Sequence, residues 1–471
     1  MLFNSGLFFI LFTIFIIVYS FIYQYKSART IYVIIFSFYF YYKSSGFYLV
    51  ILLFSILLDY LIAWYIHLQQ DEKERKFWMI FSVCANIGLL CYFKYTKFFI
   101  ENYSFLTGKA IPLSEIFLPI GISFYTFQTI SYVVDVYNKK IEPAKNLWDY
   151  AFYMCFFPHL VAGPIVRASH FLPQIYKKLE IKRDEISEGI YLILKGLIKK
   201  AIIADYVSQY ADLVFGSPSG YSGFENLIAI YAYTLQIYCD FSGYTDMAMG
   251  FAKLMGFDLG INFNSPYKAN NLTDFWRRWH ISLSSWLRDY VYIPLGGNKK
   301  GEVRQNLNLF ATMLIGGLWH GASWKFVFWG ALHGLGLVIN KQWDKYFSNH
   351  KISKYRFTKI LSWLITFHFV AFLWVFFRAD NFNTALIVIQ KAFNDLDYNY
   401  ILPFIKVRTL FVIILIIGFA SHFLSSNFKA KFISIFIKTP IWAKAIIVLF
   451  IIQLVLQIRS ENVQPFIYFQ F

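Results

Sequence analysis

Apolar residues recur along this chain in runs too long and too continuous for the core of a water-soluble protein. A helix needs about 20 mostly apolar residues to cross the hydrocarbon of a bilayer. Runs at 6–22, 47–67, 77–93, 363–377, 410–423 and 441–458 have this character. Shorter or more polar stretches at 31–42, 116–136, 150–166, 227–251, 307–319 and 324–339 extend the pattern. The expectation is an all-α polytopic membrane protein with about 11–12 transmembrane or partly re-entrant helices. Stretches too short for a full crossing should be broken or re-entrant, which requires a cavity or protein around them.

The pattern also varies along the chain. Residues 1–110 are plain apolar spans, and 356–471 are plain again. Between about 115 and 340 the runs are interrupted by Gly, Pro, Asn, Gln, Asp and His. Polar groups at membrane depth are costly and usually mark a pathway or a site. With no repeat and no linker, this reads as a single multi-pass membrane domain over 1–471. Its catalytic core is expected in 115–340. The first apolar run lacks a basic flank and a small-residue cleavage site, so it reads as an anchor.

Two segments read as interfacial helices. In 186–206, Leu and Ile alternate at helical spacing with Lys195, Lys199 and Lys200. In 272–291, read as one helix, Phe275, Trp276, Trp279, Leu283, Trp286, Leu287 and Tyr290 share an apolar sector. Asp274, Arg277, Arg278, Ser284, Ser285 and Arg288 fill the opposite one, with His280 on the border.

Composition agrees with the patterning. Hydrophobic residues make up 58% of the chain and charged residues only 15%, with a mean hydropathy of +0.48. A soluble domain would carry about 25% charged residues. The net charge of +17 implies no nucleic acid here, because loop Lys and Arg beside anionic lipid set topology in such proteins. Basic loops at 26–29 and 71–76, with a nearly bare one at 43–46, favour an extracytoplasmic N-terminus. Cys84, Cys91, Cys155 and Cys239 all lie in apolar runs and read as small buried hydrophobes. No metal-ligand spacing, P-loop or serine-elbow motif occurs.

The chemistry-bearing groups are histidines. His320 closes an apolar span containing Gly316-Gly317 and is followed by Gly321-Ala322-Ser323. Small residues on both sides allow a broken helix and an imidazole at the edge of a cavity. A neutral imidazole there could take a proton from an attacking hydroxyl; the alternative is a histidine that only bonds between helices. His333 would lie about 20 Å from His320 along one straight helix, so it reads as structural or as lining a second part of a path. Arg277, Arg278 and Arg288 could hold a phosphate-bearing donor or lipid headgroups. Gln236 and Asp240 lie at a spacing that allows pairing along a helix, and interhelical structure is their favoured role. Asp135 and Arg378 read as anchors at span ends.

Several motifs together resemble the membrane-bound O-acyltransferase superfamily, in particular its bacterial branch of alginate and peptidoglycan O-acetyltransferases. They are Leu-Pro-Ile-Gly-Ile-Ser-Phe-Tyr-Thr-Phe-Gln at 118–128 and Pro-His-Leu-Val-Ala-Gly-Pro-Ile at 158–165. Gln-Ile-Tyr-Cys-Asp-Phe-Ser-Gly-Tyr-Thr-Asp follows at 236–246, then the segment 275–298. Trp-His-Gly-Ala-Ser-Trp stands at 319–324, Trp-Val-Phe-Phe-Arg-Ala at 374–379 and Pro-Phe-Ile-Tyr-Phe-Gln-Phe at 465–471.

The resemblance implies a helical core with a tunnel to its thin centre, with His320 at the family's essential histidine and His280 at a second motif position. Trp276, Arg277, Arg278, Trp279 and Trp319 are then the expected substrate-binding residues. Acetyl-CoA is the expected donor, with no metal and no tightly bound cofactor. The expected setting is the bacterial cytoplasmic membrane, where a separate extracytoplasmic O-acetyltransferase completes transfer to a polysaccharide such as peptidoglycan or alginate. The competing reading is a transporter or flippase of a lipid-linked glycan, which broken spans fit equally well.

Overall fold

The computed structural model describes residues 3–112, 116–161, 163–347, 355–458 and 466–467. The motif at 465–471 therefore lies outside the described residues apart from Phe466 and Ile467. Among the described residues every regular element is helical, as the patterning predicts. The chain forms two compact units, Met1–Ile193 with Met247–Gly260, and Leu194–Asp246 with Ile261–Phe471.

The first unit contains α1 (Gly6–Ile22), α2 (Lys26–Ser45), α3 (Leu49–Leu68), α4 (Glu72–Leu90), α5 (Thr96–Thr107), α6 (Ile122–Tyr137), α7 (Leu147–Cys155), α8 (Phe157–Leu160) and α9 (Ala168–Tyr176). Its interior joins a phenylalanine cluster to a few fully paired polar groups. Phe8, Phe12, Phe40 and Phe157 meet edge-on or stacked around Phe251. Between α3, α4 and α6, the buried Asp59 carboxylate accepts from the Ser82 hydroxyl at 2.6 Å and from the Asn86 amide at 3.0 Å. Thr129 in turn donates to Asn86. At the end of α6, Asp135 is anchored by Lys140. The 150–166 run, among the stretches too short for a plain crossing, is broken between α7 and the short α8. Pro158 stands in the first turn of α8, where it needs no amide hydrogen.

Helices α10 (Arg183–Leu197) and α12 (Gly223–Leu254) run through the boundaries between the units. The second unit adds α11 (Asp205–Gly216), α13 (Leu272–Arg278), α14 (Ile281–Leu287), α15 (Glu302–His320), α16 (Trp324–Phe347), α17 (Arg356–Arg378), α18 (Phe382–Asn394), α19 (Ile401–Val407), α20 (Thr409–Phe423), α21 (Ser426–Lys438) and α22 (Ile441–Ile458).

By length and hydropathy, four helical stretches among the described residues can cross a membrane: Lys26–Leu68, Glu72–Thr107, Arg356–Arg378 and Ile441–Ile458. A fifth crossing is available if Tyr398–Val407 and Thr409–Phe423, bent by 98° at their junction, count as one broken span. Most exposed side chains of α22, among them Trp442, Leu449 and Phe450, are apolar, as suits a face that meets lipid; Gln453 and Gln457 near its end are exposed as well. Cys84 is exposed on α4 and not buried as expected from its apolar run. Neighbours there differ from those in water: an apolar run can be satisfied by lipid as well as by protein.

The 186–206 stretch departs from the interfacial reading. After α10 the helix widens into a π-helical turn at Ile198–Ala204 and continues as α11. Lys200 is buried there, paired with Asp205 at 2.7 Å and with Asp240 of α12. Asp240 also accepts the Ile467 amide at 2.9 Å, so its partners are interhelical and not Gln236 along its own helix. Lys195 and Lys199, four residues apart, both reach Asp246 at 2.9 and 2.7 Å. Lysines that patterning places at a water interface thus neutralise carboxylates at the α12 surface. At the other end of the unit, Arg378 closes α17 on Asp212 at 2.6 Å.

Removing one partner of a buried ion group leaves the other charged and undersolvated, which typically costs about 3–5 kcal/mol. Lys200→Met should therefore sharply lower the thermal midpoint of the detergent-solubilised protein. Adding Asp240→Asn should recover part of the loss. Equal midpoints for wild type and Lys200→Met would remove this network from the determinants of stability.

Candidate active site

Helices α15 and α16 form the frame of the site. They cross so closely that a Cβ on Gly317 would lie 2.3 Å from the Phe326 carbonyl oxygen, and one on Gly330 would lie 2.5 Å from that of Met313. Small residues permit this approach of two backbones. The chain breaks between them at Gly321–Ser323, as the sequence leads one to expect, so His320 is the last residue of α15. A side chain at Gly321 would enter the Phe326 ring.

His320 is buried in an aromatic cage. Its ring centroid lies 5.0 Å from Trp319, 5.1 Å from Trp329 and 5.3 Å from Phe377 of α17. Because the chain turns back after His320, the straight-helix separation from His333 does not apply. His333 packs on the same indole, 4.5 Å from Trp329. Trp276 and Phe275 of α13 flank His333 at 5.1 and 6.3 Å. Sequence reading set His333 apart from the centre; its spacing of four from Trp329, which puts both on one helix face, was the available signal.

His280 is not on the border of a continuous helix. The 272–291 segment breaks at this residue, with α13 before it and α14 after it. His280 itself adopts a left-handed backbone, φ +43° and ψ +56°, uncommon for any residue with a Cβ. The chain upstream bonds to both sides of the break. The Asn264 amide donates to the Arg278 carbonyl, and the Ile281 amide donates to the Asn262 carbonyl, each at 2.9 Å.

The Asn262 side chain completes the arrangement, accepting from the Ser282 amide at 3.1 Å and its hydroxyl at 2.9 Å. Those donors identify the atom as oxygen. Nδ1 of His280 lies 3.3 Å from this oxygen and 3.4 Å from the Ser282 hydroxyl; a proton on Nδ1 satisfies both contacts and would leave Nε2 as the basic nitrogen. Nothing in the sequence flags Asn262, which acts only through tertiary contact.

Phe241 meets the buried His280 ring edge-on at 4.7 Å, and Trp319 lies 6.2 Å away. The result is a row in which imidazoles alternate with indoles: His280, Trp319, His320, Trp329, His333. His333 and the indole nitrogens of Trp276 and Trp329 are buried and make no hydrogen bond among the described residues. These are unspent donors and acceptors in a dry place.

The remaining expected residues lie around this row. Trp279 is buried between Phe275 at 5.7 Å and Trp374 at 5.0 Å. Arg278 is held by Asp274 at 2.8 Å and Arg288 by Asp289 at 2.7 Å, while Arg277 is exposed. These arginines do not form one continuous basic helix face, because the helix that would align them is broken.

The profile of the membrane-bound O-acyltransferase family matches residues 141–384. The chain is 40% identical over 371 residues to the peptidoglycan O-acetyltransferase of Helicobacter pylori, covering 73% of this chain and 69% of that protein. It is 37% identical over 421 residues to a probable alginate O-acetylase, AlgI, of Pseudomonas putida, covering 85% of each.

The chain belongs to the membrane-bound O-acyltransferase family.

A more distant relative is the teichoic acid D-alanyltransferase of Bacillus subtilis, 30% identical over 274 residues. Membership makes this protein an acyltransferase of the branch that holds the alginate and peptidoglycan enzymes, and it removes the ground for a transporter without acyl transfer. Within this membrane-bound O-acyltransferase, the matched region spans the whole histidine row.

The left-handed backbone at 280 allows a direct test. Asn adopts this conformation more readily than most residues, whereas a β-branched side chain is strained in it by roughly 1–3 kcal/mol. His280→Asn should keep near wild-type yield and melting temperature, and His280→Val should lower both. Similar melting for the two variants would show that the conformation does not constrain this position.

Proposed function

We propose that this acyltransferase moves an acetyl group from a cytosolic thioester, acetyl-CoA, across the bacterial cytoplasmic membrane for O-acetylation of an extracytoplasmic polysaccharide. The observation that carries the reading is the buried His320 at the α15–α16 break, caged by Trp319, Trp329 and Phe377. The names of the relatives support a glycan acceptor, peptidoglycan in one case and alginate in another.

In this mechanism neutral His320 takes the proton of an attacking hydroxyl. The hydroxyl oxygen bonds to the acetyl carbonyl carbon, the C–S bond breaks, and the departing thiolate recovers the proton from the imidazolium. The aromatic cage excludes water, which would otherwise hydrolyse the thioester. His280, fixed by Asn262, orients the donor or steadies charge from the other side of Trp319, with Trp276, Trp279, Arg277 and Arg278 around it. A separate extracytoplasmic transferase hands the acetyl group to the glycan.

Losing an acid–base group typically costs about 10² to 10⁴ in rate. His320→Ala should therefore remove ester-linked acetate from one cell-wall or exopolysaccharide fraction, as deletion does, while the protein still accumulates in the membrane. Wild-type acetate at equal abundance would refute the assignment.

A further inference from the structure

A second feature of the same unit lies outside the histidine row. A cleft of about 420 Å³ is lined by Lys268, Asn270, Arg356, Lys359, Trp363 and Phe423, and no carboxylate lines it. The side chains of Arg356 and Lys359 are exposed and make no ion pair or hydrogen bond among the described residues. Lys268 donates to the Leu424 carbonyl at 2.7 Å, which leaves its charge unneutralised. More positive charge stands nearby: Lys268 is pushed below its ordinary value by burial and by Arg278, and Lys429 falls to about 8 through burial and Lys268. Cations on the wall of a cleft that no carboxylate lines favour a bound anion.

The charge distribution also gives the cleft a side. The start of α15, the end of α16 and the start of α17 lie together. Lys345 pairs with Glu302 at 2.6 Å, Asn340 of α16 accepts the Leu272 amide at 3.0 Å, and Asn270 shares the cleft with Arg356 of α17. Lys299, Lys300, Arg304, Lys341, Lys345, Arg356 and Lys359 cluster at those ends, against only Lys325 and Arg378 at the opposite ends. The excess of Lys and Arg marks the cytosolic side.

The walls add an aromatic component. The Trp363 indole is fixed by its bond to the Tyr267 carbonyl at 2.8 Å, and Phe423 meets it edge-on at 5.7 Å. From Tyr267 the aromatic packing continues through Phe275, at 6.4 Å, to His333, at 6.3 Å.

We propose that this cleft binds the phosphorylated nucleotide end of the thioester donor, with Arg356, Lys359 and Lys268 on its phosphates and Trp363 against its base. The proposal rests on the acyl-transfer reading above. It deepens that reading by assigning the donor's charged end to residues outside the histidine row. An aromatic wall beside unpaired cations fits a nucleotide better than a bare phosphate, because each part of the ligand meets its own partner.

The test is binding without turnover. The full chain is placed in nanodiscs of neutral phosphatidylcholine, and radiolabelled coenzyme A is measured by equilibrium dialysis. ADP should compete with it, whereas pantetheine, which lacks phosphates, should not. The double variant Arg356→Glu/Lys359→Glu, at exposed positions, should weaken coenzyme A binding by roughly 10- to 100-fold, the loss expected for charge-assisted contacts. His320→Ala should bind it as wild type does.

Unchanged affinity in the double variant overturns the proposal. So does a result in which phosphatidylglycerol co-purifies with wild type and not with the double variant while coenzyme A binds both equally, since the cations would then serve a lipid headgroup. The two readings fail separately. Cleft-dependent binding with no acetyl transfer would remove the function and keep the site, whereas transfer with cleft-independent binding would do the reverse.

Discussion

The site depends on the close crossing of α15 and α16 at Gly317 and Gly330. Two backbones can approach this far only where neither carries a side chain. The approach lets the chain reverse within the short break at Gly321–Ser323 and brings Trp329 back over His320. His333, one turn further on, then packs on that same indole. A bulkier pair at the crossing would separate the helices, and the alternating row of imidazoles and indoles would come apart with them.

Around this crossing the structure handles polarity in two ways. The charged groups that join helices are paired: Lys200 with Asp205 and Asp240, Lys195 and Lys199 with Asp246, Arg378 with Asp212. His333 and the indole nitrogens of Trp276 and Trp329, by contrast, sit among aromatic rings and make no hydrogen bond among the described residues. Pairing suits groups whose task is to hold helices together in a medium that cannot solvate charge. Unspent capacity suits groups that meet a ligand. That contrast, more than burial itself, separates His333 and Trp276 from the lysine–aspartate network.

Much of this was legible in the chain. Long apolar runs announced an all-helical membrane protein, and small residues around His320 announced the break that follows it. The interruptions by Gly, Pro and polar residues located the region where the histidines meet. The rest was hidden for physical reasons. Helical periodicity places residues on faces but assumes an unbroken helix, so it could not show that 272–291 breaks at His280, where Asn262 and the stretch beside it bond to both sides. The same assumption set His333 far from His320. For Lys195, Lys199 and Lys200, an amphipathic pattern looks alike whether the polar side meets water or the aspartates of a neighbouring helix.

The 98° bend between the Tyr398–Val407 segment and α20 bears on the bilayer itself. A helix of 15 residues rises only about 22 Å, against a hydrocarbon layer of about 30 Å. With its other half turned aside, α20 is shorter than a full crossing, a mismatch of the kind that lipid relieves by thinning. This helix is no peripheral element: Gly418 lies against Leu235 of α12, and His422 accepts the Tyr267 amide. Where so short a helix packs on α12 and bonds to the segment before α13, lipid chain length becomes a variable of how firmly this unit is held together.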